Sequence, residues 1–285
     1  MPVCRSEPDI SSTFAKKSLG QHFLIREGII HRILRALDLK AGEKVLEIGP
    51  GRGALTLPLA KTGAALLLVE KDRELAAGLR EKLDASRVEI LEADFLEVET
   101  AQLEARLGKA FKVVSNLPYN VGTAILSKLL HELAPASRLV LMFQKEVGER
   151  LLAKPGTKDY GSLSVFTQLA AETRLVCRVP PEAFRPPPQV ESLVLAFELR
   201  ERPALPRAKW ESFESFVKTG FAQRRKMLRQ NLRPALGGIS AAEVEARLVA
   251  VGATAGARAE ELSVQQWVEL YSMISPFEKG GLRGI

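Results

Sequence analysis

The sequence contains few of the side chains from which metal and disulfide sites are built. Its 285 residues include two cysteines and three histidines. Cys4 and Cys177 are far apart, and none of His22, His31 and His131 is paired with another histidine, a cysteine or an acid at metal-ligand spacing. We therefore predict no metal site and assign no chemistry to the thiols.

Long apolar runs are also missing. The longest aliphatic stretch, residues 64–69, is far shorter than the roughly 18 apolar residues that a membrane-spanning helix needs. Residues 1–20 contain neither the apolar core nor the small-residue cleavage site of a secretory signal. We expect no transmembrane helix and a cytoplasmic location.

Short apolar runs alternate with segments of helical spacing through the first two thirds of the chain. The predicted strands are 45–48, 66–69, 88–91, 112–114, 139–143, 175–179 and 193–197. Strands separated by helices indicate an α/β fold with a mostly parallel sheet covered on both faces. The last two strands are joined by a short, proline-rich segment, 180–189, and we expect them to be antiparallel.

The C-terminal part has a different pattern. A polar stretch with prolines, residues 200–206, is typical of a linker, and the residues after it have helical apolar spacing without a strand. We expect a small all-α domain at 207–285, after a sheet domain at 42–199 and an N-terminal segment with a helix at 1–41.

Positive charge is concentrated near the start of this helical part. The net charge is +7, and residues 207–233 contain eight Lys or Arg against two Glu. Such density points to a polyanion such as nucleic acid, although a solvated helical face gives the same composition. Arg225, Arg229 and Arg233 would share one helical face if 224–233 is a helix.

A glycine-rich turn follows the first predicted strand. Gly49, Gly51 and Gly53 precede a segment with helical spacing, so backbone N–H groups would face a ligand there. The turn fits a methyl donor, but it also satisfies a relaxed dinucleotide pattern with Glu70 as the ribose-binding acid, or it is purely structural.

Polar residues end the neighbouring strands. Glu70, Asp94 and Asn116 follow the second, third and fourth predicted strands, and we expect them to meet at one edge of the sheet. The run Asn116-Leu117-Pro118-Tyr119 offers an amide, a rigid turn and an aromatic face, which together fit a flat, nitrogen-bearing ring. Taken alone, it also fits an ordinary Asn-x-Pro turn.

Seven motifs in order resemble the small-subunit ribosomal RNA adenine dimethyltransferases, from about Ser18 to Leu232. They are Leu19-Gly20-Gln21-His22-Phe23-Leu24, Glu47-Ile48-Gly49-Pro50-Gly51, Asn116-Leu117-Pro118-Tyr119-Asn120, Gln144-Lys145-Glu146-Val147, Tyr160-Gly161-Ser162-Leu163-Ser164-Val165, Phe184-Arg185-Pro186-Pro187-Pro188 and Gln223-Arg224-Arg225-Lys226. The pattern departs at His22, where relatives commonly have Asn.

The resemblance implies a Rossmann-like, seven-stranded class I methyltransferase that uses S-adenosylmethionine. It places cofactor contacts at Gln21, His22, Leu24, Gly49, Gly51, Glu70, Lys71, Asp94, Phe95 and Asn116. The catalytic residues that it implies are Asn116, Leu117, Pro118, Tyr119 and Phe184, with Tyr119 and Phe184 stacking on the target base. It assigns RNA contact to Lys16, Lys17, Arg224, Arg225, Lys226 and Arg229.

The implied reaction is dimethylation of two adjacent adenosines in a hairpin near the 3′ end of small-subunit ribosomal RNA, within an assembling subunit, by a monomeric enzyme. Three alternatives stay open. One is an adenine methyltransferase of the antibiotic-resistance type that acts on large-subunit RNA. The others are an assembly factor that binds RNA without turnover and a dehydrogenase.

Overall fold

The structure is a computed structural model that describes residues 21–40, 42–108, 110–132, 136–236 and 239–274. Within these ranges the chain forms nine β-strands: β1 (Phe23–Leu24), β2 (Lys44–Ile48), β3 (Ala65–Glu70), β4 (Val88–Glu92), β5 (Phe111–Asn116), β6 (Ala136–Gln144), β7 (Ala171–Val179), β8 (Phe184–Arg185) and β9 (Ser192–Leu199). The same ranges contain eleven α-helices: α1 (Glu27–Leu37), α2 (Thr56–Ala60), α3 (Arg73–Arg80), α4 (Thr100–Leu107), α5 (Gly122–Glu132), α6 (Lys145–Leu152), α7 (Ser162–Ala170), α8 (Trp210–Gly220), α9 (Leu228–Leu232), α10 (Ala241–Ala250) and α11 (Val264–Ile274).

Seven strands form one sheet in the order β4-β3-β2-β5-β6-β9-β7. The pairs β4–β3, β3–β2, β2–β5 and β5–β6 are parallel, and the β6-β9-β7 edge is antiparallel. Residues 111–115 of β5 are all buried, as expected for a central parallel strand with helices on both faces. The predicted seven strands, the antiparallel final pair and the class I methyltransferase fold are confirmed.

A second, two-stranded sheet was not predicted from the sequence. In it, β1 pairs antiparallel with β8, with Phe23 opposite Arg185 and Leu24 opposite Phe184. Each strand has only two residues. An alternation of apolar and polar residues cannot be recognised over so short a length.

The described residues divide into two compact units. The first contains the chain up to Lys145 together with Leu175–Phe197, and the second contains Glu146–Arg174 together with the chain from Glu198 onward. The predicted functional division at 42–199 and 207–285 stays a prediction.

The second unit is built from helices around aromatic side chains. Trp210 and Trp267 are fully buried, and Trp267 contacts both Phe216 and Phe221. The predicted C-terminal helices are confirmed. Residues 224–233 do not form one helix, because 221–225 form a turn and α9 begins at Leu228.

Across the described ranges, no helix has both the length and the apolar character needed to cross a membrane.

Candidate active site at the strand ends

The first unit contains a cavity of about 230 Å³ at the carboxyl ends of β2, β3, β4 and β5. Residues from each of these strand ends line it, together with residues that precede and form β1. Among the predicted cofactor and catalytic residues, those that line the cavity are Gln21, His22, Leu24, Gly49, Gly51, Glu70, Lys71, Asp94, Phe95, Asn116, Leu117, Pro118 and Tyr119. The predicted convergence of polar residues at one sheet edge is therefore seen in the structure.

The glycine turn after β2 requires a backbone that other residues rarely adopt. Gly49 and Gly51 have φ angles of 64° and 58°, in the left-handed region. Gly49 N donates to Val69 O over 2.9 Å, which fixes the turn to the end of β3. Apart from Gly49 and its two chain neighbours, no heavy atom of the described residues lies within 4 Å of the position that a Cβ on Gly49 would occupy, so this backbone is open to a ligand.

Glu70 ends β3 with a buried carboxylate that is 6% exposed. Gly51 N donates to its Oε2 over 3.0 Å, and Asp72 N donates to its Oε1 over 2.8 Å. Burial raises the pKa of this carboxyl above its ordinary value. The two backbone donors hold the carboxylate in place and leave each oxygen a further lone pair for a ligand hydroxyl.

Glu47, in β2, also lines the cavity, and no role was assigned to it from the sequence. It is 2% exposed, and its Oε2 has no hydrogen-bond partner among the residues that the structure describes. Burial raises the pKa of this carboxyl to about 8, and the nearby Glu70 charge adds to the rise. The signal in the sequence was an acid within an otherwise apolar strand of a parallel sheet, where side chains on both faces are buried.

Asp94 follows β4 and faces the cavity beside Phe95. Its Oδ1 accepts from Leu96 N over 2.9 Å, and its Oδ2 is 2.7 Å from Lys71 Nζ. The hydrogen bond from the Lys71 ammonium holds the pKa of Asp94 below its ordinary value. The ammonium group of Lys71 is thus hydrogen-bonded to an acid that lines the same cavity.

The residues before and in β1 form one wall of the cavity. Gln21 Nε2 donates to Asp72 Oδ2 over 3.2 Å, which ties this segment to the start of α3. Phe23 packs under the glycine turn, because its ring would lie 3.3 Å from a Cβ on Gly51, and the Arg52 guanidinium lies 4.3 Å from the ring centre. Leu24 is buried.

Asn116, the last residue of β5, has a fixed side-chain amide. Its Nδ2 donates to the main-chain oxygen of His22 over 3.0 Å. Because the amide nitrogen is used in this way, Oδ1 is the atom left to accept a hydrogen bond from a ligand. The departure of residue 22 from the family pattern leaves this contact intact, since His22 supplies its backbone.

Tyr119 is held at both its hydroxyl and its ring. The hydroxyl lies 2.6 Å from Ser192 Oγ, on β9, and the ring stacks on His22 with centroids 5.5 Å apart. His22 Nδ1 is 2.8 Å from Pro186 O, which anchors the imidazole. Burial raises the pKa of the Tyr119 phenol. Ser192 was not identified from the sequence, because nothing in its neighbourhood marks it as a partner of residue 119.

Phe184 is the predicted catalytic residue that the structure does not bring to the cavity wall. Its side chain is 2% exposed and packs in the apolar core of the first unit with Leu24, Val179 and Ala183. In the structure this ring does not line the cavity. The stacking role of Phe184 stays a prediction that this position does not support.

The predicted RNA-binding residues fall into three groups. Lys16 and Lys17 lie outside the described residues. Arg224 donates to the main-chain oxygens of Lys158 and Tyr160, and Arg229 is paired with Glu245. Arg225 and Lys226 are exposed and have no ion pair with any residue in the described ranges.

Comparisons with known proteins identify the family of the chain. A family model for the ribosomal RNA adenine dimethylases matches residues 13–275. A ribosomal RNA small subunit methyltransferase A from Thermosynechococcus vestitus is 42% identical over 273 residues, which cover 93% of this chain and 98% of the relative.

Two solved structures are similar to the chain. The 23S rRNA methyltransferase ErmE has a TM-score of 0.68 and 30% identity, with 88% of this chain and 99% of that chain covered. A dimethyladenosine transferase from Plasmodium falciparum has a TM-score of 0.77 over 88% of this chain and 97% of that one, and at 22% identity it supports the fold alone. From the family match and the extent of the relatives' identity, the chain belongs to the ribosomal RNA adenine dimethylase family.

Proposed function

We propose that this protein transfers methyl groups from S-adenosylmethionine to the N6 amino groups of two adjacent adenosines in the 3′-terminal hairpin of small-subunit ribosomal RNA, during assembly of the subunit. The observation that carries the proposal is the meeting of Asn116 with the glycine turn and Glu70 in one cavity of a family member. The small-subunit substrate is supported by the names of relatives that match nearly the whole chain.

The donor set of the cavity fits S-adenosylmethionine. The open backbone at Gly49 suits the amino acid end of the cofactor, and the fixed carboxylate of Glu70 suits the two ribose hydroxyls. Asp94 would accept from the adenine amino group, beside the ring of Phe95. When bound, the cofactor supplies an electrophilic methyl group.

The acceptor side of the cavity is arranged for an amino group. An exocyclic adenine nitrogen is a poor nucleophile, because its lone pair is delocalised into the ring. Asn116 Oδ1 and the main-chain oxygen of Leu117 would accept hydrogen bonds from its two N–H groups and direct the lone pair toward the methyl group. Such alignment supplies roughly 7 to 11 kcal/mol in well-oriented systems. Positioning is therefore the main catalytic effect that these residues provide.

The proton of the methylated nitrogen leaves to water or to these carbonyl oxygens, so the reaction needs no dedicated base. Tyr119 would hold the target base by stacking, with its ring fixed by Ser192 and His22. Pro118 makes the turn between Asn116 and Tyr119 rigid.

Outside the cavity, Arg225 and Lys226 would bind RNA phosphates, which positions the substrate without reading its sequence. Lys16 and Lys17 are proposed for the same role from the sequence. We propose that the protein acts as a monomer on an assembling subunit in the cytoplasm.

The test is to incubate the protein with isotopically labelled S-adenosylmethionine and small subunits that lack the modification, then to map and count methyl groups by mass spectrometry. We expect two adjacent N6,N6-dimethyladenosines near the 3′ end of the RNA. Cofactor binding without any transfer to small subunits would instead favour an assembly factor without turnover.

A second candidate is methylation of large-subunit RNA. The observation that favours it is the similarity to ErmE, at 30% identity over 88% of this chain. Large subunits in a parallel reaction distinguish the two candidates. Label on large-subunit RNA alone would reject the small-subunit proposal.

A further inference from the structure

The basic run of the second unit, residues 224–226, is joined by a side chain to another segment of that unit. Arg224 Nη2 donates to the main-chain oxygens of Lys158 and Tyr160, over 2.7 Å and 2.9 Å. A guanidinium that binds two carbonyls is used for internal structure and is less available to a phosphate. The contact brings the backbone of residues 158–160 within one side-chain length of the run.

Residues 154–158 form an exposed loop between α6 and α7. The loop has a defined shape, because Thr157 Oγ1 donates to Lys154 O over 2.7 Å and Gly156 N donates to Glu260 O over 2.7 Å. Gly156 has a φ of 82°, which glycine adopts without strain. Three separate contacts, counting that of Arg224, thus hold the loop in place.

The side chains of Lys154 and Lys158 project from this loop at exposed positions. Neither forms an ion pair with a residue in the described part of the chain, and the same is true of Arg225 and Lys226. Asp159, which is half-buried, follows Lys158 in the chain, and Glu260 supplies the main-chain oxygen that binds Gly156 N. Arg229 differs, since Glu245 neutralises its charge.

From this arrangement we propose that Lys154 and Lys158 extend Arg225 and Lys226 into one surface that binds the phosphate backbone of the RNA substrate, and that Arg224 is the positioning residue that joins the two segments. The inference rests on the proposed function for its ligand. Exposed cations that form no ion pair with the described residues and are held at a fixed spacing can bind the phosphate groups of RNA. The ammonium groups supply affinity, and the Arg224 contact fixes their spacing.

The test measures equilibrium binding to small ribosomal subunits that lack the modification, at several salt concentrations. Lys154→Ala/Lys158→Ala should lower the slope of log affinity against log salt by about 1.4, at about 0.7 per lost contact with a single strand. The control, Lys61→Ala/Lys82→Ala, removes the same charge from exposed positions of the first unit and should keep the wild-type slope. A wild-type slope in the Lys154/Lys158 variant overturns the inference.

The positioning role of Arg224 is tested by combining its substitution with those of Lys154 and Lys158, because the effects on the salt slope should not add. Arg224→Ala should reduce the effect of removing Lys154 and Lys158, because the loop is no longer held beside the basic run. Arg224→Lys, which keeps the charge but loses the fork that binds two carbonyls, should behave like Arg224→Ala. Strictly additive effects, with Arg224→Lys equal to wild type, contradict the positioning role.

Methylation by the wild-type protein separates this inference from the function on which it rests. If the wild type methylates small subunits while the Lys154/Lys158 variant binds them with an unchanged slope, only the inference fails. If the wild type neither binds nor methylates small subunits, the proposed function fails first.

Discussion

The strand-end cavity of the first unit and the basic run of the second unit were both predicted from short motifs. The structure arranges the predicted residues differently at the two places. In the cavity, the predicted residues lie together and present free acceptors, such as Asn116 Oδ1. In the basic run, Arg224 is bound to main-chain oxygens, and Arg225 and Lys226 are exposed; Arg229, which follows the run, is paired with Glu245. A motif at a sheet edge therefore predicts its site more completely than a count of charges does, because a cation's availability depends on its neighbours.

The largest effect is expected from removing the side-chain oxygen that would hold the amino group of the target adenine. Asn116→Ala deletes the Oδ1 acceptor and should slow methyl transfer by about 1000-fold, comparable with removal of a fixed hydrogen-bonding group in other active sites. Cofactor affinity should change little, because the side chain is proposed to hold the acceptor. Single-turnover rates and calorimetry measure the two quantities separately.

His22→Ala is the comparison for that variant. It removes the ring that stacks on Tyr119 but keeps the main-chain oxygen that binds Asn116 Nδ2. We expect a much smaller loss of rate. Equal losses of rate, or a parallel loss of cofactor affinity in Asn116→Ala, would contradict the role assigned to Asn116.

The next largest effect is expected in the pH dependence of stability, because Glu47 is an ionisable group buried in the cavity. The folded-state pKa of Glu47 is raised from 4.5 to about 8, so the folded protein retains a proton that the unfolded chain has lost between these values. Stability should therefore fall as pH rises through this window. Glu47→Gln should remove that loss, with a relative gain of about 3 kcal/mol in unfolding free energy between pH 5 and pH 8.

Chemical denaturation at the two pH values measures this gain. Glu92→Gln, at the end of β4 and paired with Arg80, is the matched control. If both variants show the wild-type pH dependence, Glu47 is charged in the folded protein and the account of its burial is wrong.

A smaller effect is expected at the ribose-binding carboxylate. Glu70→Ala should weaken cofactor binding by about 10- to 100-fold, the range for losing hydrogen bonds to a charged group. Glu92→Ala, at the paired position on β4, should leave the affinity unchanged. Calorimetry with S-adenosylhomocysteine decides the matter, and equal affinities in the two variants would reject the ribose assignment.

The smallest effect is expected from comparing the exposed cations of the basic run with Arg229, which follows the run and is paired with Glu245. Arg225→Ala/Lys226→Ala should lower the salt dependence of binding to small subunits by about 1.4 in slope. Arg229→Ala should leave the slope nearly unchanged, since Glu245 already neutralises that charge. The reverse result would show that exposure and pairing in the structure do not determine which cations contact RNA.

Much of the cavity was predictable because parallel strands end at a common edge. Gly49, Glu70 and Asn116 lie at the carboxyl ends of three strands that were predicted to be parallel, and the pairs β2–β3 and β2–β5 are parallel, so these residues lie at one edge of the sheet. Identifying Glu47 would have required a further inference, that burial within a strand raises the pKa of its carboxyl group.

Other features depend on contacts that no local pattern records. Ser192 is 73 residues from Tyr119, and the loop that carries Lys158 is 66 residues from Arg224. Arg225, Arg229 and Arg233 would have shared one face only if 224–233 formed a single helix, but the Asn231 amide donates to the main-chain oxygens of Gly220 and Gln223 and stabilises a turn instead. Phe184 was expected at the base, yet its pairing with Leu24 in a two-residue strand buries it.

The most direct test of the central claim is a crystal structure with S-adenosylhomocysteine and adenosine monophosphate bound. We expect the adenine N6 atom within about 2.7–3.2 Å of Asn116 Oδ1 and of the main-chain oxygen of Leu117. Asn116 Nδ2 should still donate to His22 O, as it does here. An adenine bound with N6 away from both oxygens, or an Asn116 amide turned to present its nitrogen, would contradict the account.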